Sequence, residues 1–226
     1  ASLVIDGGGA TLSTKKVEGE SIFTCNYPDK IEKVYSHLFD FHAVGKSPDI
    51  WVEKNEKNEV YSSTITCGSL FNLFSSKLGF NGGYEAGKVM GLSSYGVEES
   101  SESWWLEKDG VMIANTPLIY ELLNRDYPTF QDKANIAKKL QEETKKHTKY
   151  LIKKCLELSD RVTMSGGYFL NCVNNYEYLD LFENVDNLYI EPNSSDAGTS
   201  IGAAKLLFYS ITKSIDKFPL KTLYLG

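Results

Sequence analysis

Ser165-Gly166-Gly167-Tyr168-Phe169-Leu170-Asn171 and Asp196-Ala197-Gly198-Thr199-Ser200-Ile201-Gly202-Ala203-Ala204 decide how this chain is read. Each segment follows a short extended run, residues 161–164 in one case and 187–190 in the other, and passes into a helical pattern. Glycines at a strand end let backbone N–H groups approach a ligand closely. A helix N-terminus at the same place favours an anion. Two such turns close together predict a nucleotide held between strand ends, with the rest of the chain as the scaffold that positions them.

Working outward, Leu3-Val4-Ile5 is a short apolar strand that ends in Asp6-Gly7-Gly8-Gly9. An Asp followed by glycines at a strand end is either a turn facing phosphate or metal-bound water, or an ordinary hairpin turn. Residues 11–17 and 21–26 alternate polar and apolar and are read as two further antiparallel strands. Residues 27–66 are the least regular part. Within them 31–41 reads as a strand, Lys46-Ser47-Pro48 as a turn and Lys54-Asn55-Glu56-Lys57-Asn58 as a charged hairpin tip. His37 and His42 are spaced by neither a helical nor a strand repeat, so no metal pair is built from them.

Residues 69–78 carry one apolar stripe and predict a helix. Glu85-Ala86-Gly87-Lys88-Val89-Met90-Gly91-Leu92-Ser93-Ser94-Tyr95-Gly96 follows a glycine-rich break. Gly87 and Gly91 suit close packing of a helix on another backbone. Lys88 between them reaches a phosphate or a ribose, or is simply a solvated lysine. Residues 98–103 read as a polar loop, 104–113 as a hairpin with an Asp109-Gly110 turn, and 117–125 as a short helix. A long helix capped by Asp132 runs to about residue 158, with His147 on its apolar stripe as a packed residue. Residues 169–182 are read as one helix. Residues 199–210 are read as a second, whose Gly202, Ala203 and Ala204 allow close packing on the sheet. A three-strand meander followed by alternating helices and strands is an α/β layer arrangement.

The 226 residues are 42% hydrophobic and 24% charged, enough for one large domain or two small ones. The net charge of −6 disfavours nucleic acid as the main partner, and the lysines of residues 138–154 read as the wet face of a helix. Cys25, Cys67, Cys155 and Cys172 show no C-x-x-C spacing and read as small buried residues in a reducing compartment, which places the protein in the cytoplasm. No apolar run reaches the length of a membrane span, and no signal peptide is recognised, so no membrane partner is expected. The chain starts inside a strand without an initiator Met, which reads as a piece of something longer.

Three blocks carry a family resemblance. Residues 85–96 resemble the E-x-GKVMGLA-x-YG block of the NodU/CmcH-type O-carbamoyltransferases. Residues 166–174 resemble that family's GG-x-x-LNC-x-x-N block, and residues 192–204 its P-x-x-x-DAGT-x-x-GAA block. Asp6-Gly7 sits where the family has its first-strand DG, and Leu223-Tyr224-Leu225-Gly226 resembles the YLG that closes its first domain. Order and spacing agree along nearly the whole chain.

The resemblance implies an actin-like ATPase (ribonuclease H-like) lobe, a mixed sheet with an antiparallel three-strand meander and helices on both faces. It implies that residues 1–226 are a single domain, the C-terminal lobe of the carbamoyltransferase domain, with an irregular insertion at about 27–66. It further implies transfer of a carbamoyl group from carbamoyl phosphate, through an ATP-derived carbamoyl-adenylate, to a hydroxyl of a small molecule. Carried over to matching positions, Asp6 and Gly7 face phosphates, and Glu85, Gly87 and Lys88 lie at the nucleotide. Gly166, Gly167 and Asn171 lie on the adenosine side, with Gly198 in the last turn. Asp196 is a ligand of a divalent metal, Fe(II), and with Lys88 is assigned the catalytic role.

The family's other two metal ligands are histidines of an H-x-x-x-H helix upstream of Ala1, which none of His37, His42 and His147 matches. An N-terminal lobe and a downstream adenylate-forming domain are therefore the implied partners, and this piece alone is expected to bind metal weakly and to be inactive. Two alternatives stand beside this reading: a tRNA threonylcarbamoyl transferase relative, and a non-catalytic nucleotide-binding lobe of a chaperone-like protein.

Overall fold

Leu3 and Ile5 have no solvent exposure, while Ser2 and Val4 between them are only half-buried. That alternation makes β1 (Ser2–Ile5) a central strand with one fully covered face. The computed structural model describes residues 1–13, 15–26, 28–40, 42, 49–97 and 101–216. The Lys46-Ser47-Pro48 turn, the YLG motif and the start of the 98–103 loop lie outside these residues.

β1 pairs antiparallel with β2 (Lys16–Asn26), and β2 with β3 (Lys30–Asp40), which gives the expected meander. Residues 11–17 do not form a strand of their own: Thr11 makes one bridge to Val17, and β2 begins at Lys16. β4 (Val52–Lys54) and β5 (Glu59–Ser62) form the charged hairpin, and β5 adds parallel to β3. Residues 49–66 are thus more regular than their composition suggests, because they extend the sheet by two strands. Asn58 takes a positive φ of 56° at the hairpin tip, where Asn55 Oδ1 accepts from the amides of Lys57 and Glu59.

Helix α1 (Cys67–Lys77) follows, then a 3-10 turn at Gly82–Glu85 and α2 (Ala86–Ser93). β6 (Trp105–Lys108) and β7 (Val111–Ala114) pair through the Asp109-Gly110 turn, both residues at positive φ. α3 (Thr116–Asn124) leads to α4 (Phe130–Leu156). The cap of α4 is Thr129 rather than Asp132. Thr129 Oγ1 accepts from Asp132 N at 3.1 Å, and Asp132 Oδ2 accepts from Thr129 N at 3.0 Å, a reciprocal capping box. β8 (Val162–Ser165), α5 (Cys172–Glu177), β9 (Leu188–Ile190) and α6 (Ala197–Thr212) complete the order. β8 and β9 run parallel to β1, so the large sheet reads β4-β5-β3-β2-β1-β8-β9. The architecture is mixed α/β.

α1 and α4 cover one face of the sheet, where Leu3, Ile5, Ile22, Val162 and Met164 meet Leu70, Phe74, Leu140 and Leu151. α6 stands over the other face and buries none of its residues. Gly202, Ala203 and Ala204 are exposed, so the small residues of α6 do not bring it close to the sheet. Gly87 and Gly91 likewise face open space. The close approach to α4 is made instead by Gly96, where a Cβ would strike the Ala134 carbonyl. The expected helix over 169–182 is a 3-10 turn at Gly167–Leu170, the six-residue α5 and a 3-10 turn at Leu179–Leu181. Asn171 Oδ1 takes the Asn174 amide there, so a side chain replaces a carbonyl of the preceding turn and restarts the helix. Cys67 and Cys155 are buried, but Cys25 and Cys172 are exposed, against the expectation for all four. No helix among the described residues is long and apolar enough to cross a membrane.

Candidate active-site cleft

The ends of β1 and β8, the start of α1 and the turn before α6 converge on a cleft of about 750 Å³. Asp6, Gly7, Gly87, Gly167, Asn171 and Asp196 all line it. Six residues expected from four separate stretches of sequence therefore share one cavity. Gly166 and Gly198 line an adjoining cavity of about 420 Å³, together with Lys205 and with both aspartates.

The first wall is the turn after β1. Asp6 Oδ1 accepts the Gly7 amide at 2.6 Å, so the turn wraps its own carboxylate instead of offering free amides to a phosphate. Its backbone is clamped on both sides. Asp6 N donates to Gly19 O at 3.0 Å, and Gly68 of α1 lies so near that a Cβ would overlap the Asp6 carbonyl. Ser69 Oγ donates to the Gly7 carbonyl. Partial burial pushes the Asp6 carboxyl above its ordinary value, the Gly7 amide pulls it down, and the facing Asp196 pushes it up again.

The second wall is the turn after β8. Gly166 has φ +99° and sits against the Ile5 carbonyl, where a side chain would collide. Gly167 follows with its Cα bare toward Asp6, a Cβ there lying 3.4 Å from Asp6 Oδ1. The short 3-10 turn that starts here is not the helix N-terminus expected from the sequence. Asn171 lines the cleft, but its side chain is spent inward. Gln141 Nε2 donates to Asn171 Oδ1 at 2.7 Å, and Asn171 Nδ2 donates to Gln141 Oε1 at 3.0 Å.

The third wall brings Ser195 and Asp196 at the start of α6. The fourth is the 3-10 turn and α2, with Gly83, Tyr84, Ala86, Gly87 and Met90. Lys88 and Glu85 form an ion pair with each other on the surface and are not part of the cleft lining. The hydrogen bond from Lys88 holds the Glu85 carboxyl below its ordinary value. Sequence reasoning missed Asn72, whose side chain lies between Gly7 and Gly83. A polar residue on the exposed side of α1, beside two glycine turns, was the available signal.

Metal chemistry finds few donors here. Among the described residues no three of His, Cys, Asp and Glu gather to hold an ion. His42 is exposed, and His37 and His147 are committed to Glu20 in the core. Asp196 alone does not make the transition-metal site, so no step is routed through a metal.

Residues 121–205 match the family model described as carbamoyltransferase N-terminus. No curated protein matches the chain. The match runs from α3 into α6 and includes Asn171, Asp196 and the glycine turns at 166–167 and 198, while Asp6-Gly7 and residues 85–88 lie outside it. Over that stretch, rather more than a third of the chain, the sequence is similar to a carbamoyltransferase N-terminal domain, the family its motifs resemble.

Proposed function

We propose that this chain supplies the nucleotide-binding half of an enzyme that moves a carbamoyl group from carbamoyl phosphate, by way of an ATP-derived carbamoyl-adenylate, to a hydroxyl of a small molecule. The observation that carries the reading is the convergence of Asp6, Gly7, Gly87, Gly167, Asn171 and Asp196 on one cleft. The meander with two parallel strands beyond β1 supports the actin-like form of the lobe.

The residues divide the work by charge. Two carboxylates face the cleft, and among the described residues that line it there is no lysine or arginine. A polyanionic substrate meets repulsion there unless cations accompany it. Lys205 lines the adjoining cavity, and exposed Lys88 becomes available only by leaving Glu85. The bare backbone at Gly87 and Gly167 gives a flat ligand room to lie close. Asp6 lines the cleft and is the candidate group to take the proton of the acceptor hydroxyl. In the full-length protein Asp196 would hold Fe(II) together with histidines from outside this chain.

The lysines of α4 weaken the tRNA alternative. Lys139 is buried against Glu143, Lys145 pairs with Glu177, and Lys146 donates to Ser103, so this stretch is not a bare basic face.

The test uses the full-length protein with ATP, carbamoyl phosphate and a panel of hydroxyl acceptors, following carbamoylated product and iron content. Asp196→Ala is expected to lower both product and iron by at least about 100-fold and several-fold, as loss of a metal ligand does. Retention of both sinks the assignment of Asp196. ATP binding without transfer to any acceptor favours a non-catalytic nucleotide-binding lobe. Product formed by residues 1–226 alone contradicts the half-site reading.

A further inference from the structure

Helix α1 has no cap of its own. Thr66 makes no side-chain cap bond, and the first turn holds no acid. The acceptor comes from the middle of the sheet: Cys67 N donates to Glu20 Oε1 at 3.0 Å. Glu20 is 1% exposed. His147 Nε2 from α4 lies 3.0 Å from both of its oxygens, and His37 Nδ1 from β3 lies 3.6 Å from Oε2. The β2–β3 register sets Glu20 directly opposite His37, whose Nε2 is 2.8 Å from Ser62 Oγ. Trp105 stacks on the His147 ring with centroids 4.0 Å apart. A carboxylate this deep needs such partners, and a negative charge also suits a helix N-terminus.

The next two residues of α1 are those that clamp the cleft. Gly68 abuts the Asp6 carbonyl, and Ser69 Oγ donates to the Gly7 carbonyl. On the strand side, the residue before Glu20 takes the Asp6 amide. Glu20 therefore sits at the junction of both supports of the Asp6-Gly7 turn.

We infer that Glu20 is a positioning residue: held between His147 and His37, it fixes the start of α1 and thereby the place of the Asp6 carboxylate in the cleft. The geometry stands independently, while the consequence for ATP rests on the function proposed above. Coupling of this kind travels through contiguous hydrogen bonds and rigid elements.

The test is hydrogen exchange on the full-length protein and its Glu20→Gln variant, with ATP affinity measured beside it. Glutamine keeps the size and one carbonyl oxygen but loses the charge. Exchange at the amides of residues 6–9 and 67–70 is expected to accelerate at least ten-fold, with residues 162–165 and 188–190 unchanged and ATP bound roughly ten-fold more weakly. Unchanged exchange at 6–9 overturns the inference, and so does acceleration spread equally over β8 and β9, which would make Glu20 only a stabiliser of the core. If the unaltered protein binds no ATP, the function reading fails and the exchange pattern still decides the positioning role. Where Glu20→Gln does not fold, Glu20→Asp keeps the charge but withdraws the carboxylate by one methylene from the Cys67 amide. Accelerated exchange at 6–9 in that variant upholds the inference, and unchanged exchange there refutes it.

Discussion

Glu20 and Asp6 are carboxylates on neighbouring strands, joined through the bond from Asp6 N to Gly19 O, and their surroundings drive them in opposite directions. Burial alone would raise the Glu20 carboxyl, but the charge and hydrogen bonds of His147 and His37 hold it far below the ordinary range. Burial raises Asp6 as well, and there the facing charge is Asp196, of the same sign, which raises it further. The core answers a buried charge with opposite charges. Among the described residues no cationic side chain lines the cleft to answer its charge, which is the condition expected where a ligand is to supply the partner.

Removing the answer at Glu20 is expected to have the largest effect. His147→Leu takes the closer histidine from a buried carboxylate, leaving it the Cys67 amide at 3.0 Å and His37 at 3.6 Å, and should cost about 3–5 kcal/mol in urea unfolding. Glu20→Leu combined with His147→Leu removes charge and counter-charge together and should recover most of that loss. A double variant less stable than His147→Leu would show that packing against Trp105, not charge pairing, is what the histidine supplies. At the cleft, Asp196→Asn removes repulsion instead of attraction, so the same measurement should show no loss of comparable size.

Gly68→Ala strikes the join between the two regions. Its Cβ would overlap the Asp6 carbonyl, a backbone atom that cannot step aside as a side-chain tip can. The cost should lie toward the upper end of about 1–3 kcal/mol for overpacking. The Glu20 cluster is left intact in this variant, so full retention of ATP binding would separate Asp6 from α1 and break the link between the regions.

pH separates the two carboxylates by sign. A depressed carboxyl contributes stability that is present above its unfolded value, about 4.3, and is lost as pH falls below it. Glu20 should therefore make the protein acid-sensitive by at least about 1.4 kcal/mol, the worth of one pKa unit. Tyr35 from β3, Cys67 from α1 and His147 from α4 also face it, and neither the tyrosine nor the thiol is ionised in this range, since burial pushes both upward. Glu20→Gln should flatten the acid limb of stability against pH. A raised carboxyl works the other way: the stability it contributes is present in acid and lost as pH rises through its folded value. Asp6→Asn should therefore relieve the neutral side and leave the acid side unchanged. Identical profiles for the two variants would erase the comparison.

What the sequence made legible follows the same division. The turns beside the cleft were readable because glycines mark them through their own backbone: Gly166 by its positive φ, and Gly198 by its approach to the Asn193 carbonyl five residues back. Glu20 was not readable, because His147 lies 127 residues away in the chain and only the fold brings them together. The spacing of His37 and His42 carries no signal, since the partners of His37, Glu20 and Ser62, stand on the neighbouring strands β2 and β5. The break at Asn171 was hidden for a like reason. An amide pair with Gln141, 30 residues earlier, fixes that turn and overrides the helical pattern of residues 169–182. The spacing of Gly87 and Gly91 misled in the opposite sense, because a repeat that suits close packing carries no guarantee that a neighbour is there.

The smallest expected effect turns that error into a probe of the cleft. Gly87 and Gly91 both lie inside α2 with nothing within 4 Å of an added Cβ. Alanine at either should therefore stabilise the helix by up to about 1 kcal/mol, since glycine is the poorer helix former and no clash opposes the gain. Only Gly87 lines the cleft. If a nucleotide lies against its bare backbone, Gly87→Ala should raise the melting temperature while weakening ATP binding several-fold, whereas Gly91→Ala should raise it with ATP binding unchanged. Equal ATP affinity in the two variants would move the nucleotide away from α2 and leave Asp6, Gly167 and Asp196 as the walls that face it. The pair works because stability changes alike in both, so any difference in ligand affinity belongs to the cleft and not to the core.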